Sequence, residues 1–191
     1  RNALLKRIGE AAAQRSELAY WDEELARDGG TLLVGRAAAV AALAASAREA
    51  HGRLSGEREA LEVSYEPRAG EGWPAERLAA ASADEASAAL AARLEATQGR
   101  DIAAGATLTG PHRDDLGLSI GGERAAAFAS RGQQRTAALA MRLAEARLLR
   151  ERTGEEPVLL LDDVLSELDE SRRASVLDAL QGDQMLITSA D

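Results

Sequence analysis

The stretch PVLLLDDVLSELD, Pro157 to Asp169, constrains the fold of this chain most tightly. A short apolar run, Val158 to Leu161, set between Pro157 and acidic residues, reads as a buried strand. A helical stretch near 170–180 follows, and then a second apolar segment, QMLITS (Gln184 to Ser189). Strand, helix, strand in that order make a parallel-sheet unit. The first strand ends on two adjacent carboxylates, Asp162 and Asp163. Like charges at the rim of a core repel each other and lose solvation. Something must therefore face them that makes the placement worthwhile.

The upstream chain reads as mostly helical. Residues 3–27 carry Leu4, Ile8, Ala11, Leu18, Trp21 and Leu25 at helical spacing. RDGG (Arg27 to Gly30) interrupts the pattern as a C-cap and turn would, and 31–54 resume it. The expectation is an antiparallel helical hairpin over 1–56, with arms of roughly 36 Å at 1.5 Å per residue. ALEVSYEP (Ala60 to Pro67) alternates as a strand, with Leu61, Val63 and Tyr65 on one face. Residues 75–98 return to helix and stop at Gly99; Asp101 to Gly110 read as a strand. LGLSIGGERAAAF reads as a hairpin turning at Gly121-Gly122. Residues 132–152 form the strongest amphipathic helix. Three segments result: 1–56, 57–108 and 109–191.

Composition narrows the chemistry. With 191 residues the chain can bury a real core. It has no cysteine, which excludes disulfides and thiolate metal sites and suits a reducing cytoplasm. No run of about 18 apolar residues is present, so no membrane span is expected. The formal net charge of −9 argues against a wholly basic nucleic-acid surface, though not against a local basic face. Lys6 is the only lysine, and it lies in a helical segment without the glycines a phosphate loop needs. The phosphate loop G-x-x-x-x-G-K-[ST] is therefore absent. The start at Arg1, without Met, fits a fragment or a processed chain.

Two motifs carry chemistry. In ASRGQQRT, Ser130 and Gln133 form a capping box opening the 132–152 helix. Capping alone explains that pair. Gly132 adds close approach to the backbone, and Arg131 and Arg135 add positive charge at a helix N-terminus, which attracts anions. Asp162-Asp163 after an apolar strand is a Walker B pattern; the other reading is an acidic strand end that caps the next helix. In GPHRDDL, His112 and Arg113 could reach a phosphate of nucleotide or DNA. Asp114 and Asp115 are of a type that can bind a metal, but read first as partners in internal salt bridges. His51, Trp21 and Trp73 read as packing residues.

TGPHRDDL (Thr109 to Leu116), SRGQQRT (Ser130 to Thr136) and LLLDDVLSELD (Leu159 to Asp169), in that order, resemble the RecF family of recombination mediator ATPases. These are relatives of ABC-type and SMC-like heads. The resemblance implies an α/β fold with a helical arm. The chain would be the C-terminal half of an ABC-type head, a mixed sheet with helices, plus an α-helical hairpin domain, without the Walker A segment. It implies that Ser130, Arg131, Gly132 and Gln133 form the signature that closes over ATP held by a partner subunit. Asp162 falls on the Mg²⁺ aspartate and Asp163 on the residue that orients water. Ser166 to Asp169 match the loop crossing between subunits, with Asp169 its marker. Thr188 and Ser189 occupy the switch region; Ser189 or Ala190 stands where ABC proteins have histidine, which suits slow hydrolysis. The family implies ATP and Mg²⁺ as cofactors and a homodimer formed on ATP. It also implies binding to duplex DNA and single-strand/double-strand junctions, and work with RecR and RecO in loading RecA. This chain alone is expected to be inactive. The rival readings are an SMC/Rad50-type head and a non-enzymatic helical interaction module.

Overall fold

The computed structural model describes residues 1–68, 72–164, 170–179 and 184–188. Helix α1 (Asn2–Gly9) and a 3-10 turn (Arg15–Glu17) lead into α2 (Leu18–Ser55). Strand β1 (Leu61–Glu66), α3 (Ala75–Ala80) and α4 (Ala83–Ala104) follow, then a 3-10 turn (Pro111–Arg113), β2 (Asp115–Ile120) and β3 (Glu123–Arg124). The chain continues through α5 (Ala125–Phe128), α6 (Arg131–Thr153), β4 (Leu159–Leu161), α7 (Glu170–Ala179) and β5 (Met185–Ile187). It divides into two compact units, one of Arg1–Ala39 with Tyr65–Leu116, the other of Val40–Ser64 with Gly117–Asp191. These do not follow the three consecutive segments read from the sequence, because α2, β1 and β2 each run through a boundary.

The hairpin expected over 1–56 is replaced by one continuous helix of 38 residues. Gly29 and Gly30 do not form a turn. They sit inside α2 where α4 crosses it. A Cβ on Gly29 would lie 2.5 Å from Leu90 Cδ2, and one on Gly30 would lie 2.6 Å from the Ser87 nitrogen and 2.7 Å from the Ala83 oxygen. The glycines thus permit a close helix crossing, a use that sequence spacing does not distinguish from a break. By length and composition α2 is apolar enough to cross a membrane. Alanine supplies much of that character, and Leu18, Leu33, Ala37, Ala47 and Leu54 are buried.

In the first unit, Leu4, Leu5 and Leu18 are buried, with Ile8 and Ile102 packed against them. A capping box at Ser82 starts α4, whose Glu85 amide donates to Ser82 Oγ. The helix passes Gly99 and ends at Gly105 in a left-handed C-cap at φ 60°. Residues 101–104, expected as strand, are therefore helical. Asp101 is fully buried and its carboxylate explains the tail: it accepts from Arg1 at 2.7 Å and from the Leu108 amide at 3.1 Å.

In the second unit, β1, β2 and β3 form a sheet in that order. The β2–β3 turn lies at Gly121-Gly122, as expected, with φ 60° and 87°. Positive φ at both positions is what a tight type I′ turn requires, and glycine supplies it without a Cβ clash. Strands β4 and β5 pair in parallel, Leu159 with Met185 and Leu161 with Ile187. Leu159 and Leu161 join Ala140, Ala144, Leu54, Leu61 and Val176 in one core. The expectation of a fully buried strand holds for one face only, since Leu160 is 72% exposed and Val158 and Leu186 are exposed beside it.

Candidate nucleotide site

The second unit brings three strand and helix ends together. Ser130 caps α6 in the box the sequence predicts. Its Oγ accepts from the Gln133 amide at 3.3 Å, and its own amide donates to Gln133 Oε1 at 2.8 Å. The hydroxyl proton of Ser130 is not used in that pair. Gln133 is tied at its other end as well, donating Nε2 to Glu59 Oε1 at 3.1 Å. Arg131 is exposed and Gly132 half-buried at the same helix end. Backbone amides and the helix dipole make this end electropositive.

One helical turn on from Ser130, Arg135 donates from a guanidinium nitrogen to the Asp163 backbone oxygen at 3.0 Å. Asp163 stands just beyond β4 with φ 50°, in the left-handed region. Its amide donates to Thr188 Oγ1 at 3.1 Å, and Thr188 Oγ1 donates in turn to Asp162 Oδ1. Thr188 follows β5, so parallel pairing is what puts its hydroxyl against the acidic pair; its amide bonds the Leu161 carbonyl at 3.0 Å. Arg135, Leu139, Arg142, Leu161, Asp162 and Asp163 line an open cleft.

Among the described residues, no group of three or more His, Asp or Glu side chains gathers into a metal site. Asp162 offers an exposed oxygen ligand at a strand end. A lone carboxylate of this kind fits Mg²⁺, which keeps several waters and takes phosphate oxygens as further ligands. When bound, such an ion would supply charge neutralisation at the phosphates. Ser166, Asp169, Ser189 and Ala190 lie outside the described residues.

His112 and Arg113 lie in the first unit, both exposed and both beside the Thr107 carbonyl. His112 Nε2 lies 3.1 Å from the Thr107 carbonyl oxygen, and Arg113 donates twice to that same oxygen at 3.2 Å. Asp114 is a second hub. Its carboxylate accepts from Tyr65 Oη at 2.5 Å, the Arg68 amide at 2.7 Å and Arg36 at 3.3 Å. Burial, then the bond to Asp114, pushes the Tyr65 phenol well above its ordinary value. The internal salt-bridge reading holds for Asp114. Sequence reading missed the hubs at Asp101 and Thr107, which bind Arg1 and Asn2 about a hundred residues away.

Comparison with known proteins shows what the chain is similar to. No family model matches the chain. It is 43% identical over 171 residues to the DNA replication and repair protein RecF of Chloroflexus aggregans, covering 86% of the chain and 41% of that protein. To RecF of Herpetosiphon aurantiacus it is 40% identical over 195 residues, covering 100% of the chain and 47% of that protein. The chain is RecF-like. A solved structure of the recombination mediator protein RecF-ATP in the RecFOR pathway superposes with a TM-score of 0.79 at 34% identity, over 100% of the chain and 49% of that protein. RecF-ATPrS from the same pathway gives 0.81 at the same identity and coverage. The RecF-like fold is ABC ATPase-like, here helix-rich with small sheets. The chain spans about half the length of the relatives it matches.

Proposed function

We propose that this chain is the C-terminal half of a RecF-type ATPase acting in recombinational and replication-gap repair. Residues 109–191 serve as the C-terminal lobe of an ABC-type head, and the long helix and its neighbours as the arm. Ser130, Arg131, Gly132 and Gln133 meet ATP bound on a partner subunit. Asp162 holds Mg²⁺ and Asp163 orients the attacking water. Asp169 takes part in the crossing between subunits, and Thr188 and Ser189 in the switch region. ATP bridges two heads, and the dimer is the DNA-binding state, a population shift that hydrolysis reverses. RecO and RecR are its partners in loading RecA.

One observation carries the reading. The electropositive start of α6 and the acidic end of β4 are joined through Arg135, in a chain that aligns with RecF over its full length. The exposed face of β4 and β5 supports the half-head reading. Val158, Leu160 and Leu186 form an apolar row that a parallel strand pair normally buries. The missing elements of a head would pack over it. With Lys6 the only lysine, and no phosphate loop, hydrolysis needs that other half.

The test is to express the chain with the N-terminal half of a RecF-type protein and to follow the mass of the complex with and without ATP·Mg²⁺. ATP should double the mass. Ser130→Arg should weaken the dimer, and Asp163→Asn should prolong it by slowing hydrolysis. A mass indifferent to ATP refutes the reading.

A further inference from the structure

We propose that Arg135 and Thr188 are positioning residues which together clamp the backbone of Asp163. The clamp transmits the seating of the Ser130 helix to the second carboxylate within one chain. The proposal rests on the role given above to Asp163.

Asp163 has φ 50°, where an L residue is disfavoured, though aspartate tolerates it better than most. A residue stays there only when its surroundings hold it. Both of its peptide planes are held. The N–H is fixed by Thr188 Oγ1 at 3.1 Å and the C=O by Arg135 at 3.0 Å. The two holders come from different elements, the end of β5 and the first turns of α6. Releasing either lets the peptide relax toward ordinary dihedrals and swings the Asp163 side chain.

Thr188 does more than hold an amide. Its Oγ1 accepts from Asp163 N–H and donates to Asp162 Oδ1, so one hydroxyl fixes the spacing of the acidic pair. That bond also occupies one oxygen of Asp162, leaving the other for a cation. Arg135 adds the link to the partner-facing end. It lies five residues after Ser130 on a helix of 23 residues, and a helix this long moves as a body. A tilt of α6 when Ser130 engages a ligand therefore displaces the guanidinium, and with it Asp163. The carboxylate reaches its working position only when α6 is seated.

The experiment has two arms. The first uses this chain without nucleotide and reads amide exchange of Asp163. Thr188→Val and Arg135→Gln should each speed that exchange about tenfold, the loss of roughly one hydrogen bond. Thr188→Ser and Arg135→Lys keep a donor or acceptor in place and should restore protection. Amides of Leu90 and Leu94 in α4 should not change, which separates local release from general destabilisation. The second arm uses the complex with an N-terminal half and measures single-turnover ATP hydrolysis. Both disruptive variants should lower the rate about tenfold while ATP-dependent dimerisation persists. Unchanged exchange at Asp163 overturns the clamp, whatever ATP does. Faster exchange with unchanged hydrolysis overturns the positioning role. A wild-type complex that neither dimerises nor hydrolyses ATP overturns the functional reading and the positioning role with it, while the exchange arm still decides whether the clamp exists.

Discussion

Two alanine substitutions on one helix should act with opposite sign. Gly30 and Gly35 both lie inside α2. Glycine in an exposed helix interior costs about 1 kcal/mol relative to alanine. At Gly35 nothing lies within 4 Å of an added Cβ, so Gly35→Ala should collect most of that gain. At Gly30 the Cβ would meet the Ser87 nitrogen at 2.6 Å, the Ala83 oxygen at 2.7 Å and the Ser87 Cα at 2.8 Å. All three are backbone atoms, so no rotamer change relieves the clash and α4 must shift. Overpacking of this kind costs about 1–3 kcal/mol and disturbs the buried Leu90 and Leu94 as well. Even after the propensity gain, Gly30→Ala should lower stability, by up to about 2 kcal/mol. For a chain of this size each kcal/mol moves Tm by about 2–4 °C. Thermal unfolding followed by far-ultraviolet circular dichroism should therefore place Gly35→Ala above the parent and Gly30→Ala below it. Gly29→Ala, whose Cβ meets only the Leu90 side chain at 2.5 Å among close contacts, adds a control. Paired with Leu90→Ala, it should cost less than the sum of the two single changes, because the new methyl enters the vacated space. If Gly30→Ala stabilises as Gly35→Ala does, the close crossing of α2 and α4 is wrong.

Three other outcomes follow from the same geometry. Tyr65 should resist ionisation past the ordinary phenol value of 10.0 in a spectrophotometric titration, because burial and Asp114 favour its neutral form. Its folded value is raised, so its contribution is complete below pH 10 and is lost as pH climbs through the folded value; Tyr65→Phe should flatten that alkaline loss. Ser130→Ala removes the cap on α6 and should cost about 1 kcal/mol in urea unfolding, while Ser130→Asp, which caps equally well, should not. Leu160→Lys alters a residue 72% exposed and should leave the stability of this chain within about 0.5 kcal/mol. The same substitution should abolish association with an N-terminal half, measured by co-purification.

Local signals were legible where the chain's own neighbours decide the outcome. The Ser130–Gln133 box is written in four consecutive residues, and the tight turn at Gly121-Gly122 in two. The apolar run before Asp162 announced a strand, and the order strand, helix, strand announced parallel pairing. The Asp-Asp pair and the signature-like loop were visible as types of residue at a spacing, which is why the family could be read from three motifs.

Sequence by itself determined the elements of the tail, the absence of a phosphate-loop lysine, and which residues cap the start of α6. Only the tertiary structure decided what the ambiguous residues do. Gly29-Gly30 serves a crossing because α4 arrives there from more than fifty residues away. Asp101 binds Arg1, a hundred residues away, for the same reason. Arg135 and Thr188 meet at Asp163 only once β4 and β5 have paired beside α6. Propensity and capping act over a few residues and are written locally. Hydrogen-bond partners and close approaches are set by where distant elements land.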